Sequence, residues 1–503
     1  MKIPFLYGRR AYSAPITPGG GDKRLAANLD DNLITLKQLA DGSADMVVRE
    51  FELAGLRLCY VLTEDMVDSG TMAEFFIKPL TSANLGNPTP QAFFGYLQRQ
   101  AVFAADQKSF GSFGELFAFI MSGFVVLLCD GVDQGCAMGI QGYAYRSVGE
   151  PLGEFNVRGS RESFVEAVRV NMSMVRRRMK TPLLKMELTT AGENSRTDVC
   201  LLYRTDKVDS ATVAEIRNRL RSARLDVVLE SGYLQPFLEN EKFSLFSTVG
   251  TTERPDTLCA KIAEGRVGIL VDGTPFALTV PHLFSEYFQG FDDYAHPPYY
   301  VTMIRWLRYL AFFLTITLPG LYVAIAQYHL ELLPPALLYN IATAEENIPF
   351  SPMLELIIIT LIYEVVREAG LRMPQPVGMA VGIVGALVVG DAAVKAGIIG
   401  APMVMVVALT AVSAFLVPSL YQAITCLRLL FIVMGGLFGL FGITMAGLMV
   451  GINLFALEST GIPITTPVAP VSSYGWRDVF TRVGWRTLAR EDLNVQGLKQ
   501  GDK

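Results

Sequence analysis

Histidine is nearly absent from this chain: three in 503 residues, His282, His296 and His329, so no histidine-rich metal cluster is available. No GxxxxGK[ST] loop occurs, which excludes a P-loop nucleotide site. The six cysteines (Cys59, Cys129, Cys136, Cys200, Cys259, Cys426) form no CxxC pair. Most lie in apolar, strand-like runs, which reads as buried free thiols in a reducing compartment. No nucleophile, base and metal set stands out, so neither enzymatic activity nor a cofactor is expected. The net charge is only −5 and no basic, aromatic-interleaved block exists, so a nucleic-acid partner is not expected. The N-terminus, MKIPFLYGRRAYSAP, has no continuous apolar core. The first 300 or so residues are therefore expected to stay in the compartment where they are made.

What is present is unevenly spread. Hydrophobic residues make up 51% and charged ones 18%, but between Met373 and Leu457 only Asp391, Lys395 and Arg428 are charged. This length exceeds one hydrophobic core. The expected fold is α+β in the soluble N-terminal half, as two related α/β subdomains, followed by a polytopic α-helical membrane domain. The boundaries read as a loose tail over 1–22, subdomains over 23–150 and 151–300, a membrane domain over 301–460 and a cytoplasmic tail over 461–503.

The soluble half repeats itself. RLCYVLTEDMVDS, ending at Ser69, parallels DVCLLYRTDKVDS, ending at Ser210, and GFVVLLCDG (123–131) parallels GRVGILVDG (265–273). Both copies read as a leading helix, strands, helices and a closing Asp-Gly hairpin. In the second copy the leading helix is expected over Ser163–Lys180, its last turn crowded by Arg176, Arg177, Arg178 and Lys180. Cations there suit a helix C-terminus, with a nucleotide or anionic-lipid site as the sharper alternative. The stretch Thr251–Arg308 carries the organisation of the chain: a short helix, a hairpin turning at Asp272-Gly273, and an aromatic loop that enters the first long apolar helix.

After Arg308 an apolar run to about Ala326 is long enough to cross a bilayer. The next helix, 353–371, is capped by Ser351 and Pro352 and is amphipathic. An interfacial helix, a span facing protein and a pore-lining element are all open for it, with Glu355 and Glu364 as candidate carboxylate rings and Ile358, Leu361 and Ile362 as a candidate apolar gate. Asp391 and Lys395 read as a pair within one helix. Small residues at four-residue spacing, Gly378, Gly382, Ala386 and Gly390, then Gly435 and Gly439 with Gly447 and Gly451, read as close-packing faces, within the monomer or between copies. Arginines flank both ends of the apolar half, so an even number of crossings is expected. Five apolar segments then give four spans plus the amphipathic helix, with Arg428 at the outer face.

The stretches EPLGEFNVRGSRESFVEAVRVNMSMVRRRMK, LESGYLQPFLE, TERPD, GRVGILVDGTPF, REAGLRMPQPVG and IVGALVVGDAAVKAGIIGAPMVMVVALTA together resemble the A subunits of GerA-type spore germination receptors. The likeness runs from about residue 25 to 470. One departure lies just before TERPD, where the family's Pro-rich SPFPQ is replaced by SLFSTVGT. The resemblance implies a subunit of the inner spore membrane, both termini on the core side, surrounded by lipid. It implies a homo-oligomeric ring around an ion pathway, with a transporter-like B subunit that binds nutrient and a lipoprotein C subunit outside. Opening would release monovalent cations at the start of germination. Arg158, Arg161, Thr252, Glu253, Arg254, Pro255, Asp256, Asp272 and Gly273 are carried over as interface or coupling residues. A scaffold or accessory channel component is the alternative. A secondary transporter is disfavoured, because the repeat lies in the soluble half rather than among the apolar helices.

Overall fold

The computed structural model describes residues 23–40, 46–63, 67–82, 86, 88–97, 106–120, 122–140, 149–151, 153–154, 158–179, 183–240, 244–346, 348–373, 388–471, 475–488 and 494–500. The chain divides into two compact units, Met1–Tyr145 and Arg146–Lys503.

In the first unit five antiparallel strands, β1 (Met46–Leu53), β2 (Leu56–Thr63), β3 (Gln107–Phe110), β4 (Phe124–Cys129) and β5 (Gly135–Gly139), form a sheet of order β1-β2-β4-β5-β3. Strand residues alternate between two apolar layers. Cys59, Val61, Val126 and Leu128 meet helices α1 (Leu29–Ala40) and α2 (Phe113–Ile120). On the other face Leu58, Val125 and Leu127 meet Phe76, Leu80 and Phe93.

The second unit begins with the same design. Strands β6 (Leu184–Ala191), β7 (Thr197–Arg204), β8 (Gly250–Thr252), β9 (Val267–Val271) and β10 (Ala277–Val280) take the equivalent order, β6-β7-β9-β10-β8. Helices α3 (Val168–Arg178) and α5 (Pro255–Ala263) cover one face, and α4 (Ser210–Ser222) covers the other. The repeated Asp-Gly has a use that the sequence did not reveal. Asp130 Oδ1 accepts from the Leu29 N–H at 3.0 Å, and Asp272 Oδ1 accepts from the Val168 N–H at 2.9 Å. Each hairpin turn thus caps the leading helix of its own copy. Gly131 and Gly273 both sit at φ 87°, where a side chain is strained. The second leading helix starts at Val168 rather than Ser163, a correction with a clear cause. Asn171 grips the backbone of Val165, accepting from its N–H at 2.9 Å and donating to its carbonyl at 2.5 Å. Phe164 N–H meanwhile donates to Glu253 O at 2.8 Å, so 163–167 stays outside the helix. Arg176 and Arg178 are engaged too, with Leu184 O at 3.1 Å and with Glu162.

The helical half comprises α6 (Pro298–Tyr328), α7 (Pro352–Arg372), α8 (Ala401–Ala414) and α9 (Tyr421–Ala456), with a shorter helix at Pro335–Glu345. Two stretches, Pro298–Tyr328 and Pro418–Ala456, are long and apolar enough to cross a membrane. The second is not one straight rod. A straight helix of 39 residues would separate its ends by about 58 Å. Instead Leu420 and Ile424 at its start and Leu457 just past its end share one core with Tyr309 and Phe312. The fold-back is at Gly439, whose φ of 60° and ψ of −144° are not helical. At the tip, Tyr328 donates its hydroxyl to Gly436 O at 2.8 Å. The single last segment expected from the sequence is therefore two antiparallel arms, because nothing in its uniform hydropathy marks the bend.

The small residues expected to pack helices closely differ in what they meet. A Cβ on Gly435 would stand 2.4 Å from Gly320 O, so backbone meets backbone between α6 and the first arm of α9. Gly439 makes the bend, so both serve packing within the chain. Gly390 makes only ordinary contact with Val404, while Gly447 and Gly451 have open space. Gly378, Gly382 and Ala386 lie outside the described residues. Gly435→Val is expected to cost about 1–3 kcal/mol by overpacking, read as a lower melting temperature in detergent, whereas Gly451→Val should leave it unchanged.

Candidate functional site

The site is built where the hairpin β9–β10 feeds α6. Past β10, the aromatic loop supplies Phe284 and Phe288, which pack on Phe312 and Tyr309; Phe288 stacks on Tyr309 at 4.0 Å. Charged side chains lie beside this cluster. Arg305, fully buried in the first turns of α6, donates Nε to Asp293 at 3.1 Å and Nη1 to Asp478 Oδ1 at 2.8 Å. Arg308 Nη1 reaches the same Asp293 at 2.9 Å. Tyr294 donates its hydroxyl to Asp478 at 2.6 Å, and Gln289 donates to Asp478 O at 2.7 Å. Burial pushes the Asp478 carboxyl up from its ordinary value, against the pull of Arg305. Burial and the Asp478 carboxylate push the Tyr294 hydroxyl well up. Loop, helix and C-terminal segment are thereby joined by a shared pair of carboxylates.

A second ionic knot ties the hairpin to the loop. Glu286 is buried and paired with Arg266 of the strand approach, with Lys261 at 2.7 Å and with His282 at 3.1 Å. Burial alone would raise its pKa, but Arg266, Lys261 and His282 hold it well below the usual carboxylate range. The C-terminal residues then return to the same place. Val495 N–H donates to Glu264 O and Gln496 Nε2 donates to Gly265 O, both at 2.9 Å. Thr212 Oγ1 donates to Gln496 Oε1 at 3.2 Å. The hairpin approach, the aromatic loop and the C-terminal segment are thus hydrogen-bonded and ion-paired at one place. The linker 244–251 that departs from the resembled pattern is also anchored. Phe246 is buried in the α6–α9 core, and Ser247 O accepts from the Tyr287 hydroxyl at 2.8 Å.

The TERPD residues work inside the fold. Arg254 is buried and bidentate to Asp256, at 3.1 and 2.7 Å, and donates to Ser160 O at 2.8 Å. Thr252 donates its hydroxyl to Glu154 at 2.7 Å, and Glu253 Oε1 accepts from Gly153 N–H at 3.2 Å. Pro255 opens α5 and is buried. Thr252, Glu253 and Arg254 thus hold Glu154, Gly153 and Ser160 beside the sheet, with Asp256 fixing the Arg254 guanidinium. Burial raises Glu154 to about 7, opposed by the Thr252 hydrogen bond. Arg158 and Arg161 are exposed, the latter paired with Glu150 at 3.2 Å. Asp272 and Gly273 face α3 rather than the aromatic loop.

In α7 the expected pore residues separate. Glu355 is buried and accepts from the Gly400 N–H at 2.6 Å. Glu364 is paired with Arg428, with Arg367 at 2.9 Å and with the Tyr421 hydroxyl at 3.0 Å. Neither carboxylate is a free ring element, because a charge in this bundle needs a partner. Ile358 and Ile362 are half-buried, and of the three expected gate residues Leu361 is the exposed one, at 63%. Arg428 is buried against Glu364 rather than standing at the outer face. Asp391 and Lys395 pair with each other at 2.5 Å.

The sequence reading missed Asp293, Asp478, Gln496 and the Arg428–Glu364 pair. Acidic residues in the loop before Arg305 gave a signal for Asp293. Nothing local points to Asp478, which meets Arg305 across 173 residues.

Against known proteins, residues 34–493 match the family model described as Bacillus/Clostridium GerA spore germination protein. The chain is 37% identical to the uncharacterized membrane protein YfkQ of Bacillus subtilis (strain 168), over 93% of this chain and 91% of that one. It is 36% identical to spore germination protein KA of the same organism, over 95% and 89%. With spore germination protein GerLA of Bacillus cereus the identity is 34%, over 90% and 94%. A crystal structure of the N-terminal domain of the A subunit of the Bacillus megaterium spore germinant receptor GerK3 is 29% identical, covering 52% of this chain and 98% of that one, with a TM-score of 0.22. With both the α/β half and the apolar helices inside one continuous match, the chain belongs to the GerA family of spore germination proteins.

Proposed function

We propose that this chain is the A-type membrane subunit of a nutrient-responsive germinant receptor, and that copies of it assemble around a pathway for monovalent cations in the inner spore membrane. The observation that carries the reading is the family match over residues 34–493, which takes in the soluble half, the junction and the helices alike. The ionic junction supports a coupling role, since the hairpin and α6 have no slack between them. Both arms of α9 begin and end at the α6 base, which favours an even number of crossings and both termini on the core side. A transporter-like B subunit would receive the nutrient and a lipoprotein C subunit would sit outside. Binding would shift the helices between two states. In the ring, α7 would present Leu361, flanked by the half-buried Ile358 and Ile362, to the pathway as an apolar gate.

Spores carrying Leu361→Ser should leak cations without nutrient, because a hydroxyl wets an apolar constriction. Potassium release measured before and after nutrient addition reads this out. Unchanged basal release at normal protein abundance rules out the gate assignment, and a germination response without any cation release favours the scaffold reading.

A further inference from the structure

Two arginines before an apolar span ordinarily place positive charge on the membrane surface. Here Arg305 and Arg308 turn inward to Asp293 and Asp478. The outward side of the same turns carries Tyr299, Met303, Trp306, Leu310 and Phe313, all exposed and at helical spacing. The segment Gly475–Leu488 runs antiparallel alongside. Phe480 stands 5.5 Å from the Trp306 ring and 5.0 Å from Tyr309. Arg482 N–H donates to Thr302 Oγ1 at 3.1 Å, and Gly484 adjoins Pro298. This segment turns Trp476, Arg477, Trp485 and Arg486 outward.

All three tryptophans of the chain thus stand beside the stretch from Pro298 to Trp306, about 12 Å of helix, just below the apolar run that begins at Tyr309. Indole rings favour the headgroup level of a bilayer, and guanidinium groups pair with phosphate in a planar, two-pronged fashion. We propose that Arg477 and Arg486, with Trp306, Trp476 and Trp485 around them, form a binding surface for the headgroups of anionic phospholipid. The proposal rests on the reading of the helical half as membrane-embedded, and it gives the C-terminal segment a ligand of its own.

The tryptophans report on it directly. The full-length protein is reconstituted in phosphatidylcholine vesicles containing a minor fraction of either brominated phosphatidylglycerol or brominated phosphatidylcholine, and fluorescence quenching is compared. Brominated phosphatidylglycerol should quench more strongly, with a local enrichment of about five-fold per arginine, and added salt should shrink the difference. Arg477→Gln with Arg486→Gln should abolish it, while Arg477→Lys with Arg486→Lys should keep it. Equal quenching of the native protein by the two lipids overturns the proposal while leaving the membrane reading intact, as does a preference that survives the glutamine pair or is indifferent to salt. Absence of quenching by either lipid overturns the membrane reading itself. Loss of the preference only when an acidic protein partner is supplied assigns the surface to that partner instead.

Discussion

Arg305→Ala is expected to destabilise the protein by about 3–5 kcal/mol, the range for removing one member of a buried ion pair. Arg305 is fully buried and is the only group that touches Asp293 and Asp478 together among the described residues. Without it Asp293 keeps Arg308, but Asp478 keeps only neutral donors, Tyr294 and Gln289 acting on its carboxylate and carbonyl. An uncompensated carboxylate at that depth either takes up a proton or opens the junction to water. Arg305→Lys should be nearly as damaging, since one ammonium cannot span two carboxylates in the geometry of a guanidinium. Adding Asp478→Asn to Arg305→Ala should recover part of the loss. Melting temperature of the purified protein, with its abundance in spores, reads all three. An additive double variant argues against a shared ionic junction.

The second large effect is expected at Arg428. Its side chain is 2% exposed and its partner Glu364 is also held by Arg367 and Tyr421. The guanidinium of Arg367 lies 3.6 Å from the Tyr421 ring centroid, so the pair is part of a compact network bridging α7 and the first arm of α9. Arg428→Met removes the deepest cation and is expected to cost about 3 kcal/mol. Glu364→Gln alone should cost at least as much, because it leaves the buried Arg428 without its carboxylate, whereas Arg428→Met leaves Glu364 with Arg367 and the Tyr421 hydroxyl. The two together should be less harmful than their sum by about 0.5–3 kcal/mol, measured as a double-mutant cycle in detergent. A selective change in ion permeability at unchanged stability would falsify the structural assignment of Glu364 and restore it as a pathway residue.

The parts of this fold that were legible in the sequence are those with local signals. Alternation and Asp-Gly turns marked the strands from Val267 to Val280, the internal match of Cys59 with Cys200 marked the repeat, and Ser351-Pro352 marked the start of α7. Illegible were the features made by distant residues meeting. The bend at Gly439 hides in a run where glycine recurs for packing, and only its positive φ distinguishes it from Gly435. Glu355 and Glu364 lie nine positions apart, half a turn out of phase, and each is consumed by a different neighbour, Gly400 and Arg428. From sequence they read as two carboxylates of one helix and hence as a candidate pathway lining. Burial of Arg254 was likewise invisible, since arginine is ordinarily a surface residue and its bidentate partner Asp256 is what permits the exception.

The most direct test is the current carried by the purified complex of this chain with the B and C subunits proposed for it, in a planar bilayer under nutrient. The account predicts cation currents that appear only after nutrient is added, and that persist without it when Leu361 is changed to serine. A fully assembled complex that stays silent under nutrient in both forms, while spores containing it still germinate, would contradict it.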